Sequence, residues 1–381
     1  MNLPHLADEL LLLIASHLHS EAHISALSRT NHRLHSLLNE YLYRHNGLWG
    51  RSSALFWAAR HGREATARMA LKWGADGEAF AEEVLDGGFT PLLVAAMEGQ
   101  EAVVNLLLAE GNVAVDTDVG HWSPLSGAAR RGHAAIVKLL IDRGADITTA
   151  DYQGWTPLHV ASNAEVAELL VDKGADITLN VDGWSPLNTA SSSGHTDVVR
   201  LLVEKGADIT TRTYDLCTPL HTSSYEGHVD VVKFLIDNGA SIPIVDNSGS
   251  TPLHLSSRAG HVDVVKLLVG KGANINVPDA AGRTPLHEAA EHGHIEVARL
   301  FIKEGADITV RDRGGCTPLF TASLFGHVDM VGLLLDEGAD LEVGDKHGDT
   351  PLFVASHYKS VEVAKLLVDR GADIKAVGTS T

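Results

Sequence analysis

The chain is short of cysteine, of basic residues and of long apolar runs, and each shortage removes a class of protein. Among 381 residues the only cysteines are Cys217 and Cys316. They occupy equivalent places three units apart in a repeating pattern. Stacked helices lie about 10 Å apart, so roughly 30 Å separates the two, far beyond the ~7 Å between α-carbons that a disulfide tolerates. With no disulfide to form and no Asn-x-Ser/Thr sequon, the expected setting is cytoplasmic and/or nuclear rather than secretory. The 30 Lys and Arg against 49 Asp and Glu leave a formal charge of −19, and no run of Lys or Arg interrupts it. Nucleic acid and anionic membrane are therefore not expected as partners. The unbroken apolar run Leu10 to Ala15 follows Asp8 and Glu9, too short and wrongly charged for a signal peptide or a membrane span. No P-loop, dinucleotide-binding glycine pattern, nucleophile motif or carboxylate pair stands out. No catalytic, cofactor or metal-binding residue is expected, and the chain is not expected to be an enzyme.

What is present is a period. Thr/Ser-Pro-Leu triplets begin at Thr90, Ser123, Thr156, Ser185, Thr218, Thr251, Thr284, Thr317 and Thr350, 33 residues apart except for one interval of 29. Such a repeat specifies a stack in which neighbouring units supply each other's core, so function is expected on an extended exposed surface and not in a pocket.

The physics of one unit is visible in Thr251 to Asn274. Thr251 suits a helix N-cap and Pro252 the first helical position, where the missing N–H costs nothing. Gly260 ends this helix after two turns. A second helix from about Val262 turns Val264, Val265, Leu267, Leu268 and Val269 to the stack, and Gly272 closes it. The polar stretch Asn274 to Gly282 reads as a projecting finger. After Ser162 the residues matching Arg130, Arg131 and Gly132 of the preceding unit are missing, so the first helix of that unit is expected to lose about a turn. The result is either a tolerated deletion or a local bend.

Thr284-Pro285-Leu286-His287, Gly293-His294, the Val-Val-x-Leu-Leu cores and Gly305-Ala306-Asp307 together resemble the ankyrin repeat. The resemblance implies an all-α-dominated solenoid of helix-turn-helix units, each with a β-hairpin finger. About ten repeats span 54–376, the first degenerate with a finger four residues longer than the rest, the fourth shortened, before a disordered tail at 377–381. The last repeat lacks a polar cap and should expose apolar area.

Histidine is plentiful, with 22 copies, but it is periodic. His133, His195, His228, His261, His294 and His327 follow a helix-ending glycine, while His159, His221, His254 and His287 follow Thr-Pro-Leu. Groups repeating every ~10 Å do not converge on one ion, whose ligands must lie about 2 Å from a common centre. In ankyrin proteins such histidines resemble structural hydrogen-bonders.

Recognition should be written at variable positions. Two residues before each proline the chain reads Phe89, Trp122, Trp155, Trp184, Cys217, Ser250, Arg283, Cys316 and Asp349. In ankyrin proteins this place lies on the concave, finger-side surface where partners dock, and aromatics are favoured anchors. The opposing reading is that the indoles pack across adjacent fingers. Six residues after proline a second row includes Met97, Arg130, Ser192, Tyr225, Arg258 and Glu291. Tyr225 and Arg258 are further candidates for the target-binding surface, unless the row is simply a solvated face.

Residues 1–46 break the period. Leu10 to Ile14 would cover every face of a short helix, more apolar surface than a surface helix needs, so this segment is expected to bury itself against the first repeat or another protein. Leu3-Pro4, Leu6, Glu9-Leu10, Leu13-Ile14, Leu18 and the run Leu27 to Leu34 resemble the F-box, a helical module that docks on the Skp-family linker of cullin-type ubiquitin ligases. Two alignments of its start are open: three residues inserted after Pro4, or Leu6 to Leu10 with Ala7 in place of proline. The late tryptophan is missing. The resemblance implies an F-box-like module (1–46), a short linker (47–53) and a monomeric adaptor. In it Leu3, Pro4, Leu6, Glu9, Leu10, Leu13, Ile14 and Leu18 bind the linker protein, and the repeats bind an unidentified target protein. The alternatives are a plain repeat scaffold whose N-terminal helices cap the stack, and an enzyme with an unrecognised site.

Overall fold

The computed structural model describes residues 53–79, 89–117, 122–179 and 181–374. The expected module at 1–46 with its linker-binding residues, the linker up to residue 52, most of the long first finger (80–88) and the tail at 377–381 lie outside the described residues. The chain divides into two compact units, one ending at Asp176 and the other beginning at Ile177.

In the first unit the helices are α1 (Ser53–His61), α2 (Glu64–Lys72), α3 (Pro91–Met97), α4 (Glu101–Glu110), α5 (Pro124–Arg131), α6 (Ala134–Asp142) and α7 (Ala164–Asp172). In the second they are α8 (Pro186–Ser192), α9 (Thr196–Glu204), α10 (Pro219–Glu226), α11 (Val229–Asp237), α12 (Pro252–Ala259), α13 (Val262–Gly270), α14 (Pro285–Glu291), α15 (Ile295–Lys303), α16 (Pro318–Phe325), α17 (Val328–Asp336), α18 (Pro351–His357) and α19 (Val361–Asp369). Helices of seven to ten residues have no stability of their own; they persist because each lies against its counterpart in the next repeat. Within each unit first helices pack on first helices and second on second, as α10 on α12 and α11 on α13. The second helices bury a regular triplet, such as Val231, Val232 and Leu235 or Val264, Val265 and Leu268. Leu267 and Val269, also expected in the core, are half-buried.

The Thr/Ser-Pro pairs start the first helices as expected, by two chemistries. Where the third helical residue is not histidine, the cap oxygen accepts from its backbone N–H, as Thr90 from Leu93 (3.2 Å) and Thr317 from Phe320 (3.2 Å). Where it is histidine, the imidazole takes part. Nδ1 of His254 accepts from Thr251 N–H at 3.1 Å and lies 2.9 Å from Thr251 Oγ1. The lone pair is therefore on Nδ1 and the proton on Nε2, which donates onward to Arg283 O at 3.0 Å. His221 reaches Ser250 O (3.2 Å) and His287 reaches Cys316 O (3.1 Å) in the same way. Burial pushes the His221 pKa down to about 4 and lowers those of His254 and His287, so all three stay neutral.

The histidines after glycine make a second set of joints. Nε2 of His133, His228, His294 and His327 lies 2.7–3.0 Å from the carbonyls of Met97, Ser192, Arg258 and Glu291, one repeat back. Gly260, at φ +78°, ends α12 and leaves room for this: a Cβ there would fall 2.6 Å from Nδ1 of His294.

The shortened repeat loses more than a turn. Thr156 to Val160 carries one turn with no α-helix, because two turns less three residues leave too few hydrogen bonds to propagate. Ser162 and Asn163 repair the junction. Ser162 N donates to Ala129 O (3.3 Å), and Asn163 Nδ2 donates to Gly132 O (3.0 Å) while its Oδ1 caps α7 by accepting from Val166 N (2.9 Å).

The fingers are tight turns. Asp246 N donates to Ser250 O, and Gly249 N to Asp246 O, a pattern repeated from finger to finger; among the described residues an isolated bridge joins Val181 and Trp184 and no finger carries a strand. In the last described repeat Val361, Val368 and Ile374 are exposed, with Ile374 at 73%.

Candidate protein-binding surface

The aromatic row is split between the units. Phe89, Trp122 and Trp155 lie in the first and Trp184 in the second, each half-buried. Trp122 meets the other candidate row, since the Arg130 guanidinium stands over its indole, 4.7 Å from the ring centroid. Such a cation–π contact contributes about 0.5–1 kcal/mol at an exposed site and fixes the face the indole offers. Trp155 is held through its backbone, its N–H donating to Asp151 Oδ1 at 2.9 Å and its carbonyl accepting from Asp151 N at 3.0 Å. Trp184 pairs reciprocally with Val181 at 2.7 and 2.9 Å. The Trp122 indole is thus held by Arg130, Trp155 and Trp184 are held by their backbones, and all three residues are partly open to solvent, which accommodates both expected roles.

In the second unit Tyr225, at the end of α10, is 46% exposed. Arg258 is different. Its Nε and Nη2 bind Glu288 Oε2 (2.8 Å) and Oε1 (3.1 Å), a bidentate pair that raises the guanidinium pKa. Arg283 Nη2 lies 2.8 Å from the same Glu288 Oε1, and its other contacts reach Glu291 (2.9 Å) and Asp279 (3.2 Å). Glu288 is fully buried, a place a carboxylate occupies only when neutralised. Arg258 is therefore committed to holding Glu288, and what it offers a partner is the edge of an ion-pair network. Donor atoms of Glu288, Glu291 and His292 lie within 4.8 Å of one another, a spacing compatible with a metal. Both Glu288 oxygens already hold guanidinium groups, however, and an added cation would meet two positive charges.

Aligning the repeats on their turns reveals a residue that the row-by-row reading passed over. Six fingers carry glycine at the penultimate turn position, Gly154, Gly183, Gly249, Gly282, Gly315 and Gly348, with φ between +73° and +84°. In the finger of residues 213–217 that position is Leu216, at φ +59°. For a leucine this conformation costs about 1–2 kcal/mol. The same finger has Thr213 where others have an aspartate whose Oδ1 accepts two backbone N–H groups, as Asp246 does from Ser248 and Ser250 at 2.8 Å. Leu216 is 43% and Tyr214 77% exposed.

Neither thiol is suited to chemistry. Cys217 and Cys316 are unbonded and half-buried, and burial, then neighbouring carboxylates, pushes their pKa values up to about 11 and about 12. They stay protonated, whereas the thiolate is the nucleophile.

An ankyrin-repeat family model, three repeats in length, matches the chain over residues 22–118, 112–181, 144–213, 178–246, 242–312 and 310–377. The chain belongs to the ankyrin-repeat family. No curated protein matches it. Ankyrin repeats are protein–protein interaction scaffolds, typically without catalytic activity, and among the described residues of this ankyrin protein the periodic histidines, glycines and prolines serve mainly in caps and in joints between repeats. What varies from repeat to repeat on the fingers and first helices is the surface open to partners.

Proposed function

We propose that this ankyrin protein is a monomeric cytoplasmic or nuclear adaptor that holds a target protein on its repeats and presents it to a cullin-type ubiquitin ligase through residues 1–46. The observation that carries the target-binding half is the partly exposed aromatics, Phe89, Trp122 and Trp155 in the first unit and Trp184 and Tyr225 in the second. Large, rigid side chains lose little entropy when a partner covers them. The ligase half is supported by the leucine pattern at Leu3, Leu6, Leu10, Leu13 and Leu18 with Glu9, outside the repeat period, and by the brevity of the 47–53 linker, which would hold the target at a defined distance. In this reading the chain performs no chemistry; proximity does.

A second reading has its own observation. The ankyrin match begins at residue 22, inside the 1–46 segment, which favours helices that cap the first repeat of a plain scaffold. Co-purification of the full chain with a Skp-family protein decides between them. Association that is lost on Leu10→Asp plus Ile14→Asp supports the adaptor. An intact chain that fails to associate leaves the scaffold.

A further inference from the structure

We propose that the finger tip formed by Tyr214, Leu216 and Val245 docks a segment of a partner protein that carries an apolar side chain beside Lys or Arg. The inference rests on the protein-binding reading of the repeats and narrows it to one place and one chemistry.

The tip is built with residues that suit its turn poorly. Thr213 N donates to Cys217 O at 2.9 Å and Leu216 N to Thr213 O at 2.9 Å, the geometry that Asp246 to Ser250 makes at 3.0 and 3.1 Å. Glycine and aspartate perform the structural task in the next finger. Replacing them with leucine and threonine adds strain and keeps one of the two accepted bonds, Cys217 N donating to Thr213 Oγ1 at 3.2 Å, and gives the turn in return an exposed apolar side chain beside Tyr214. Strain kept at a surface position points to use of that surface.

The tip is also braced. Arg212 Nη1 lies 3.2 Å from Val245 O and 3.5 Å from Leu216 O. Asn247 donates from its backbone N–H to Asp215 O (2.9 Å) and from Nδ2 to Asp215 Oδ1 (3.0 Å). On the other side Gly183 sits so close that a Cβ there would fall 2.3 Å from Tyr214 N. Three fingers are thereby locked together, with Val245 adding a third side chain, 42% exposed. Little ordering cost remains for a partner to meet.

Charge selects the occupant. Asp182 and Asp215 are exposed on two of these fingers and Asp246 is buried in the third, and the fields of Asp246 and Asp215 both reach the Cys217 thiol. Arg212 is the one cation on the same stretches, and its guanidinium is turned to main-chain carbonyls. An apolar centre with an acidic rim on a chain of charge −19 favours a basic partner and repels a second copy of itself.

The test is to pan random dodecapeptides displayed on phage against the full chain and against Leu216→Asn and Tyr214→Ala. Asparagine tolerates the left-handed conformation, so the unfolding midpoint of Leu216→Asn should not fall. The expected result is enrichment of sequences that join an aliphatic or aromatic residue to Lys or Arg. Synthetic copies should bind more weakly as salt rises and lose about tenfold or more in affinity on either substitution. Enriched peptides that lack basic residues, or that bind the variants undiminished, overturn this inference and leave the protein-binding reading standing. Leu216-dependent self-association in sedimentation overturns it in favour of a second copy. Failure of the full chain to enrich any peptide counts against the protein-binding reading itself.

Discussion

The imidazole of His294 occupies the space that a side chain on Gly260 would need, with Nε2 2.9 Å from Arg258 O and Nδ1 2.6 Å from the place of the missing Cβ. Gly260→Ala should therefore fail twice, through its φ of +78° and through the collision, at a cost of about 1–3 kcal/mol in urea unfolding. Combining it with His294→Ala should cost less than the sum of the two single changes, since the collision disappears. Strict additivity would show that the ring had simply moved aside.

The buried histidines make stability depend on pH in a definite direction. Their folded pKa values lie below the unfolded value of about 6.5, at about 4 for His221, so the unfolded chain binds more protons in between. Stability should be complete above pH 6.5 and fall as pH drops from 6.5 towards 4, with His221 contributing roughly 2–3 kcal/mol of the loss. His221→Asn should flatten the profile while keeping the cap, because Asn188 already serves Ser185 this way, with Oδ1 2.7 Å from Ser185 Oγ. Denaturant midpoints measured every half pH unit read the slope, and an unchanged slope in the variant removes His221 from the explanation.

Arg258 and Arg283 share one buried carboxylate, which predicts strong non-additivity. Arg258→Gln or Arg283→Gln alone leaves Glu288 with a cation and should cost about 1 kcal/mol. The double change strands it and should cost about 3–5 kcal/mol. Hydrogen exchange in α12 and α14 would locate the loss, and a double variant no worse than the sum of the singles would show that Glu288 reaches water.

The legible parts of this fold were those repeated nine times. The Pro-first helices, the glycine stops and the buried valine pairs can be read from a single period because local propensity and packing agree in every copy. The shortened repeat departs further from its neighbours than the loss of one turn. Losing three residues from a helix of two turns removes the helix, and what remains depends on Ser162 and Asn163 bonding to the repeat before them. The ion pair of Arg258 is not visible along its own row because its partner is 30 residues away. The clue is in the repeat alignment, where Glu288 stands in a column that otherwise holds Val94, Gly127, Val160, Thr189, Thr222, Leu255, Thr321 and Val354. Leu216 was legible by the same comparison, as the residue standing where glycine belongs. The first and last residues of the chain offer no second copy to compare, so the reading of 1–46 rests on resemblance alone.

Both histidine ladders end on main-chain oxygen, and the residues that own those oxygens are Ser250, Arg283 and Cys316 in one row and Met97, Ser192, Arg258 and Glu291 in the other. These are the two variable rows. At each such residue the backbone makes the joint, so at the partly exposed Met97, Ser192 and Cys316 a changed side chain can alter what the protein recognises and leave the acceptor in place, whereas Ser250 is buried and Arg258 and Arg283 also hold Glu288. Where the side chain is open to solvent, cohesion and specificity share an address but not an atom, which leaves those positions free to drift towards new partners.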